Sequence, residues 1–383
     1  MSGNLQSPSD GQPRASRLGT RFGLAPVALA FFASRLLVFG SIFLSRLEII
    51  RGALWHPGDW LDVLANVDGS AWLEIARNLR LIGSAQLDPT VSCFPVYPLI
   101  VALVGIVSRD AAIAAVLISN LSLVASGCLL FRLVHLESGD AQAGRAAVFF
   151  LMFSPGAFFF SSATADAPFL LLAIGSLLAA RTERWLLAGS LAVLGAATLN
   201  LGFLLAIPLV MEAALQMRRT QATERSSGGM QAAFAVLLGL QFIAVLLIGA
   251  RAFGDPLALL RLSADSEATL ARLINISTAF AENRSFWQFA FAGTVTAGVL
   301  LCAAAVWVKL RPSYVGFAAA LLCACIVSHD FEAPRTMALA FPLCAAMAPL
   351  TRKLEWTYEA TLLASAGLLA FVSVLVANGH WIT

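Results

Sequence analysis

Residues 24–45 read LAPVALAFFASRLLVFGSIFLS, an apolar run of 22 residues that contains one charged side chain, Arg35. About 20 consecutive apolar residues are enough to cross the hydrocarbon core of a bilayer as a helix. Further apolar runs occupy 111–131, 146–162, 167–180, 185–199, 201–216, 231–250, 287–307, 314–328, 336–350 and 357–379. Together these runs predict an all-α polytopic membrane protein with about eleven transmembrane helices.

The composition excludes a soluble globular protein. Of the 383 residues, 59% are hydrophobic and 12% are charged, and the mean hydropathy is +0.82. A soluble domain carries about 25% charged residues. The net charge of +3 is too small for a nucleic-acid-binding protein, because such proteins concentrate basic residues on one face. We therefore expect contact with membrane lipid and no nucleic-acid partner.

The stretch 94–107 decides the topology, because it is apolar but short and contains Pro95 and Pro98. If it does not cross the membrane, 14 basic residues lie in inner loops and 10 in outer loops. If it does cross, the numbers become 9 and 15. Cytoplasmic loops carry the excess of Lys and Arg. The charge distribution therefore predicts that 94–107 lies on the outer face, with the N-terminus in the cytoplasm.

Two regions follow from this topology. We expect residues 1–22 to be a disordered, basic cytoplasmic tail. We expect residues 23–383 to form the transmembrane catalytic domain. The long outer loop 46–110 predicts an interfacial amphipathic helix, since apolar residues recur in it at helical spacing. These residues are Val63, Leu64, Val67, Trp72, Ile75, Ala76 and Leu79. The Ala-, Leu- and Arg-rich composition indicates a multi-pass protein of a bacterial inner membrane.

Polar residues gather at the outer ends of the predicted helices. They are Asp68, Asp166, Asn200, Asp255, His329, Asp330, Glu332 and Arg335. Ionisable groups at such positions are candidates for function. A carboxylate there can act as a general base, and the planar fork of an arginine can hold a phosphate.

Each candidate also has a structural interpretation. Asp68 can be a solvated carboxylate on the polar face of the interfacial helix, and Arg335 an anchor with its charge in the headgroup layer. Asp166 can be the N-cap of a helix that starts at Ala167. His329 can be an ordinary polar residue, and for Asp255 we favour a turn and cap role in Gly-Asp-Pro.

Several motifs resemble those of the PIG-V-like mannosyltransferases, a family of the GT-C glycosyltransferases. Residues 66–76, NVDGSAWLEIA, resemble that family's W-D-G-x-W-Y-x-x-I-A element. Residues 94–99, FPVYPL, are similar to its F-F-P-L-Y-P-L. Residues 154–161, SPGAFFFS, followed by Thr164-Ala165-Asp166, resemble its S-P-x-x-x-F-x-S-x-x-Y-[ST]-E.

The resemblance continues toward the C-terminus and extends over about residues 25–350. Residues 184–202 resemble W-x-x-A-G…T-R-x-x-G, and residues 253–258, FGDPLA, match x-G-D-P-L-A-F. Arg335 precedes Phe341-Pro342, where the family has an Arg before its last F-P. The sequence departs from the family pattern at three positions. Val67 replaces a Trp, Asp166 replaces a Glu, and Asn200 replaces an Arg.

The resemblance implies a GT-C bundle whose active site lies on the outer face, in and near loop 46–110. It implies transfer of a sugar, which we expect to be mannose, from a polyprenyl-phosphate donor with inversion. The acceptor would be a glycan, a lipid or a protein. Asp68 would be the general base, and Arg335 and His329 would bind the donor phosphate. Asp166, Asn200, Trp72 and Tyr97 would bind substrate or support these groups.

Other interpretations stay open. No metal site is predicted, and whether a divalent cation takes part is undecided, since Asp68 has no D-x-D partner. A transporter or flippase of lipid-linked sugars is an alternative, although paired interrupted spans are missing. A catalytically degenerate membrane partner is another, because of Val67 and Asn200. A third alternative is an enzyme similar to O-antigen ligases. Such an enzyme would have a larger outer loop between its late spans than the loop 251–286.

Overall fold

The structure is a computed structural model that describes residues 23–46, 60–65, 73, 76, 94, 96–221, 286–327, 333–351 and 355–378. Within these ranges the α-helices are α1 (Leu24–Arg46), α2 (Trp60–Ala65), α3 (Val96–Ser108), α4 (Ala111–Ser138), α5 (Ala141–Met152), α6 (Asp166–Arg181), α7 (Trp185–Ala196), α8 (Ala206–Gln221), α9 (Phe286–Trp307), α10 (Pro312–Val327), α11 (Ala333–Ala338), α12 (Phe341–Thr351) and α13 (Glu355–Ala377). Short 3₁₀-helices cover Pro155–Phe158 and Asn200–Leu205. The described residues contain no β-strand.

Four of the described helical segments are long and apolar enough to cross a membrane. They are Leu24–Ser45, Ala111–Ser138, Leu201–Arg218 and Trp356–Ala377. Shorter apolar helices accompany them, among them α7, α9, α10 and α12. The predicted fold class, an all-α polytopic membrane protein, is confirmed for the described part of the chain. The predicted span 231–250 and the tail 1–22 lie outside the described residues.

One predicted span is not a single helix. The sequence predicts a span over 146–162, but α5 ends at Met152 and a 3₁₀-helix begins at Pro155. Proline has no N–H and its ring blocks the preceding helical turn, which favours the end of the helix before Pro155. Turns then lead to the start of α6.

A second predicted span, 336–350, is also divided. Helix α11 ends at Ala338, and α12 begins at Phe341, immediately before Pro342. Proline is well suited to the first turn of a helix, which explains why the new helix starts here. The two interrupted segments contact each other, since Gly156 packs against Pro334.

Side-chain caps set the ends of α4 and α5. The Asp110 carboxylate accepts hydrogen bonds from the N–H groups of Ala112 and Ile113, at 2.6 and 3.3 Å. Gly139 ends α4 with φ 67°, in the left-handed region that glycine adopts without strain. Asp140 then caps α5 by accepting from the Gln142 N–H at 2.8 Å. These caps make α4 and α5 an antiparallel pair with a tight turn.

Helix α6 lies inside the bundle and runs from one end of the bundle to the other. It packs against α4 and α7, while α5 packs against α12 and α8 against α10. With 16 residues at 1.5 Å per residue, α6 separates Asp166 from Arg181 by about 22 Å. Asp166 therefore marks one end of the bundle, and Arg181 marks the other.

Helix α3 lies at the Asp166 end. The Val96 N–H donates to the Ala197 carbonyl, after the end of α7, at 3.3 Å. The Tyr97 hydroxyl interacts with Ser119, in the first half of α4. The 13 residues of α3 span about 20 Å, less than the 30 Å of a bilayer core. This placement fits the prediction that 94–107 stays on one face.

Candidate functional site

Asp166 and Arg335 form an ion pair where two helices meet. Asp166 is the first residue of α6, and Arg335 lies in the short helix α11. The Arg335 Nε–H group donates to both carboxylate oxygens of Asp166, at 3.0 Å each. The Asp166 side chain is 1% exposed and that of Arg335 is 12% exposed. A carboxylate this deeply buried requires a charged partner, so the pair holds the guanidinium in place.

The chain that leads into Asp166 is fixed by its own hydrogen bonds. The hydroxyls of Ser162 and Thr164 both donate to the Phe159 carbonyl, at 2.8 and 3.1 Å. The Ala163 N–H donates to the Leu64 carbonyl in α2 at 2.8 Å. Because buried backbone groups must be paired, this bond attaches α2 to the segment before Asp166. The first outer loop predicted from the sequence thus contributes to the site.

Helix α11 approaches this segment so closely that only glycine fits. A Cβ at Gly156 would lie 2.4 Å from the Pro334 carbonyl oxygen and 2.6 Å from the Ala338 Cβ. The guanidinium of Arg335 lies over the Phe159 ring, 5.7 Å from its centroid. Attraction to the ring face adds to the ion pair. The glycine and the aromatic residue of the motif at 154–161 therefore position Arg335.

Arg35 holds the same segment from within α1. Its side chain is 3% exposed. It donates to the Ser161 hydroxyl, to the Ala157 carbonyl at 3.1 Å and to the Met152 carbonyl at 3.3 Å. An arginine inside a membrane must be paired or reach the interface. The oxygens of this irregular segment provide its pairing, so Arg35 joins α1 to the segment before Asp166.

Tyr97 completes the described part of the site. It is fully buried, and its hydroxyl lies close to the Ser119 hydroxyl. Ser119 in turn donates to the Thr164 carbonyl at 3.3 Å. Through Ser119, Tyr97 therefore lies beside the segment that leads into Asp166, and it is too buried to meet a ligand directly.

The structure brings together three of the residues predicted for the site, Asp166, Arg335 and Tyr97. Asn200 begins a 3₁₀-helix, near the bond between Val96 and Ala197. The remaining predicted residues, Asp68, Trp72 and His329, lie outside the described residues, as does Asp255.

Two structural interpretations raised by the sequence are corrected. Asp166 is not the N-cap of a helix that starts at Ala167, because α6 includes Asp166 and its cap residue is Ala165, without a side-chain bond. The Asp166 carboxylate instead accepts hydrogen bonds from Arg335, which is distant in sequence. Arg335 is not an anchor reaching into the headgroup layer, because its side chain is largely buried against Asp166.

The arrangement is suited to binding an anion. The planar guanidinium of an arginine presents N–H donors in a geometry that matches the oxygens of a phosphate. The Arg335 side chain is 12% exposed, and a largely buried guanidinium interacts with a phosphate more strongly than it would in water. Among the described residues, no group of three or more His, Cys, Asp or Glu side chains could hold a metal ion.

A second charged cluster lies at the other end of α6. Glu212 is fully buried and accepts from Arg311 Nε and Nη2, at 2.7 and 2.8 Å. The Ser313 hydroxyl and the Gln216 amide also donate to it, at 3.1 and 2.8 Å. Arg181 lies 3.5 Å from Glu212 and also pairs with Glu137. The cluster joins α4, α6, α8 and α10.

The sequence patterns did not predict this cluster or several residues of the site. Glu212 lies in the apolar run 201–216, and a carboxylate inside a predicted span is itself a signal of a buried partner. Arg181 and Arg311 both belong to the predicted inner loops, so their meeting agrees with the alternation of the spans. The sequence does not indicate that Phe159 and Ser119 belong to the site, because aromatic and small polar residues are common in membrane helices.

Two solved structures resemble this chain in fold. One is the archaeal oligosaccharyltransferase AglB from Archaeoglobus fulgidus, in complex with an inhibitory peptide and a dolichol-phosphate, at 14% identity and a TM-score of 0.46. The other is the arabinosyltransferase EmbB from Mycobacterium smegmatis, at 15% identity and a TM-score of 0.38. The matches cover 93% and 92% of this chain, but only 56% and 44% of those proteins. This chain thus spans about half of their length.

No family model matches the sequence, and no curated protein matches it. Similarity as remote as that to the two solved structures does not transfer an activity to this chain.

Proposed function

We propose that this chain is a GT-C-type membrane glycosyltransferase that moves a sugar from a polyprenyl-phosphate donor to an acceptor hydroxyl, with inversion. The observation that carries the proposal is the Asp166–Arg335 pair, which fixes a cation at the end of a helical bundle. The motif at 154–166, whose counterpart is found in PIG-V-like mannosyltransferases, builds this position. Mannose is accordingly the first donor sugar to test.

Arg335 is proposed to bind the phosphate that leaves when the sugar is transferred. When the bond between the sugar and the phosphate breaks, the phosphate gains negative charge. Donors that are already oriented toward this charge lower the barrier, because the protein does not have to reorganise during the reaction. Asp166, Phe159 and Gly156 provide this orientation. His329, six positions before Arg335, is the proposed second ligand of the phosphate.

Asp68 is the proposed general base. It lies three positions after Ala65, the last residue of α2, and three positions along the chain span about 11 Å at most. Helix α2 is bonded to the chain just before Asp166 through Leu64 and Ala163. These links support a place for Asp68 near the phosphate site, on the acceptor side.

The proposed step is a single displacement. Asp68 takes the proton of the acceptor hydroxyl, and that oxygen forms a bond to the anomeric carbon. The bond from this carbon to the phosphate oxygen breaks on the opposite face, and its electron pair leaves with the polyprenyl phosphate toward Arg335. Asp166 and Tyr97 support the site, and Trp72 and Asn200 are proposed to contact substrate. In this proposal the site faces outward from a bacterial inner membrane, and the N-terminus is cytoplasmic.

The test is transfer of radiolabelled mannose from polyprenyl-phosphate-mannose by the purified full-length chain, with host lipid and glycan extract as acceptor. Wild type is compared with Asp68→Asn and with Asp62→Asn, a nearby carboxylate of the same loop, each with and without EDTA. Thermal unfolding checks that every variant is folded. We expect transfer by wild type and Asp62→Asn and none by Asp68→Asn.

Equal transfer by folded Asp68→Asn and wild type would remove Asp68 as the base. Accumulation of lipid-linked sugar on one side of proteoliposomes, without transfer by any variant, would indicate a flippase instead. The EDTA arm decides whether a divalent cation takes part.

A further inference from the structure

A cavity of about 300 Å³ lies at the Arg181 end of the bundle, at the opposite end of α6 from the proposed active site. It runs between α4 and α12, with the turn between α9 and α10 across its end. Its apolar wall includes Leu133, Val134, Phe341, Pro342 and Ala345. A surface of this kind accommodates hydrocarbon rather than a polar metabolite.

The charged end of the cavity has a net positive charge. Glu137 pairs with Arg181 and accepts from the Tyr314 hydroxyl at 2.7 Å. Glu212 pairs with Arg311. The charges of these two carboxylates and two guanidinium groups cancel. Lys309 also lines the cavity and contributes one further positive charge.

Lys309 is held at the entrance by its backbone. It has a φ of 56°, and the turn around it is closed by bonds from Lys309 N–H to the Val306 carbonyl and from Leu310 N–H to the Ala305 carbonyl, both 2.9 Å. Its side chain is exposed. In the described part of the chain no carboxylate lies within ion-pair distance of it.

Exposed tryptophans place this entrance at the level of the lipid headgroups. Trp307, two residues before Lys309, is 79% exposed. Trp356 is 65% exposed and follows Thr351, the end of α12, whose carbonyl accepts from Thr357 at 3.0 Å. Tryptophan is enriched where the hydrocarbon core meets the headgroups. The cation therefore lies at headgroup level, and the apolar wall extends from it toward the hydrocarbon.

We propose that this cavity binds one anionic phospholipid, with its phosphate at Lys309 and an acyl chain along the wall formed by α4 and α12. Basic pockets between transmembrane helices are sites of this chemistry. Zwitterionic lipids fit less well, because their ammonium group would meet a positively charged entrance. The site does not depend on the proposed glycosyltransferase function, whose groups lie at the other end of α6.

The test is native mass spectrometry of the full-length chain, titrated in detergent with phosphatidylglycerol or phosphatidylcholine. Lys309→Gln removes the charge at the entrance, and Ala345→Phe fills the wall. Arg184→Gln is the matched control, since Arg184 is also exposed and in a predicted inner loop but does not line the cavity. A parallel titration adds inorganic phosphate, and thermal unfolding checks the fold of each variant.

We expect one phosphatidylglycerol to be retained by wild type and by Arg184→Gln, and little phosphatidylcholine. Lys309→Gln should weaken retention about fivefold, the contribution of one basic residue near an anionic lipid surface. Ala345→Phe should weaken it at least as much. Equal retention of both lipids, or unchanged retention by folded Lys309→Gln, would overturn the proposal. Displacement of the lipid by millimolar phosphate would instead identify a site for the free ion.

Discussion

The two ends of α6 both carry an arginine–carboxylate pair, but the carboxylates differ in their surroundings. Glu212 accepts from Arg311 through two nitrogens and also from Ser313 and Gln216. Asp166 has one partner among the described residues, the Nε of Arg335. The two arginine side chains are equally exposed, at 12%. The difference therefore lies in how completely each carboxylate is bonded, not in burial of the cation.

A fully bonded buried ion pair serves to join helices, since any change leaves a charge without compensation. The Asp166–Arg335 pair instead holds an arginine where two helices are interrupted, and interrupted backbone at membrane depth occurs where it is buried in protein or lines a cavity. We therefore interpret the Glu212 cluster as structural and the Asp166–Arg335 pair as functional. Variants at the two ends should affect different measurements.

The largest expected effect on stability is that of Glu212→Gln. The change leaves Arg311 buried without its counter-charge, and removing one partner of a buried pair costs about 3–5 kcal/mol. Unfolding of the purified chain in micelles measures the loss, with Glu359→Gln, an exposed carboxylate of α13, as the control. A loss no greater than that of the control would contradict a structural role for the cluster.

The next largest effect is expected on sugar transfer by the Arg335→Lys variant. Lysine keeps the charge near Asp166 but lacks the planar fork, so we expect a folded protein with kcat reduced about 10²-fold, as for loss of one donor to a developing oxyanion. Arg184→Gln is the control, because Arg184 is exposed and follows the end of α6 opposite to Asp166. Full transfer by the lysine variant would show that the fork is not used.

A smaller effect on both measurements is expected for Gly156→Ala. The new Cβ would lie 2.4 Å from the Pro334 oxygen, so α11 must move, at a cost of about 1–3 kcal/mol. Because Arg335 is in α11, transfer should fall as well. Gly293→Ala is the matched control, since no atom lies within 4 Å of its added Cβ and alanine favours a helix. Equal behaviour of the two variants would contradict this positioning role.

The smallest effect is expected for Tyr97→Phe. The variant loses only a buried hydroxyl that lies close to Ser119, and a buried hydrogen bond contributes about 1 kcal/mol. Thermal unfolding should show a small decrease, and transfer should stay within a few-fold of wild type. Complete loss of transfer would give the hydroxyl a direct catalytic role instead.

The sequence predicted the helices well, because apolar runs of sufficient length have few alternatives in a membrane. It did not predict the interruptions after Met152 and Ala338, since apolar composition alone does not show where a helix is broken. The prolines at 155 and 342 were the available signal. Both interruptions lie where α11 meets the segment before Asp166, so the irregular backbone belongs to the candidate site.

The candidate site was predicted in part for the same reason. Polar residues at helix ends identified Asp166 and Arg335, but not their pairing, because 169 positions separate them. Local sequence favoured a helix cap for Asp166, and the long-range contact overrode that preference. The Glu212 cluster was not predicted, because the apolar run 201–216 indicates a span but does not show which distant arginine pairs with the carboxylate inside it.

The most direct test of the functional interpretation is the double variant Asp166→Asn/Arg335→Gln, compared with Glu212→Gln/Arg311→Gln. Each double variant removes both charges, so neither leaves one buried ion without its partner. Unfolding and mannose transfer are measured on the same preparations. We expect the Asp166/Arg335 double variant to unfold close to wild type but to lose transfer, and the Glu212/Arg311 double variant to retain transfer. Transfer at the wild-type rate by a folded Asp166/Arg335 double variant would contradict the functional role of the pair.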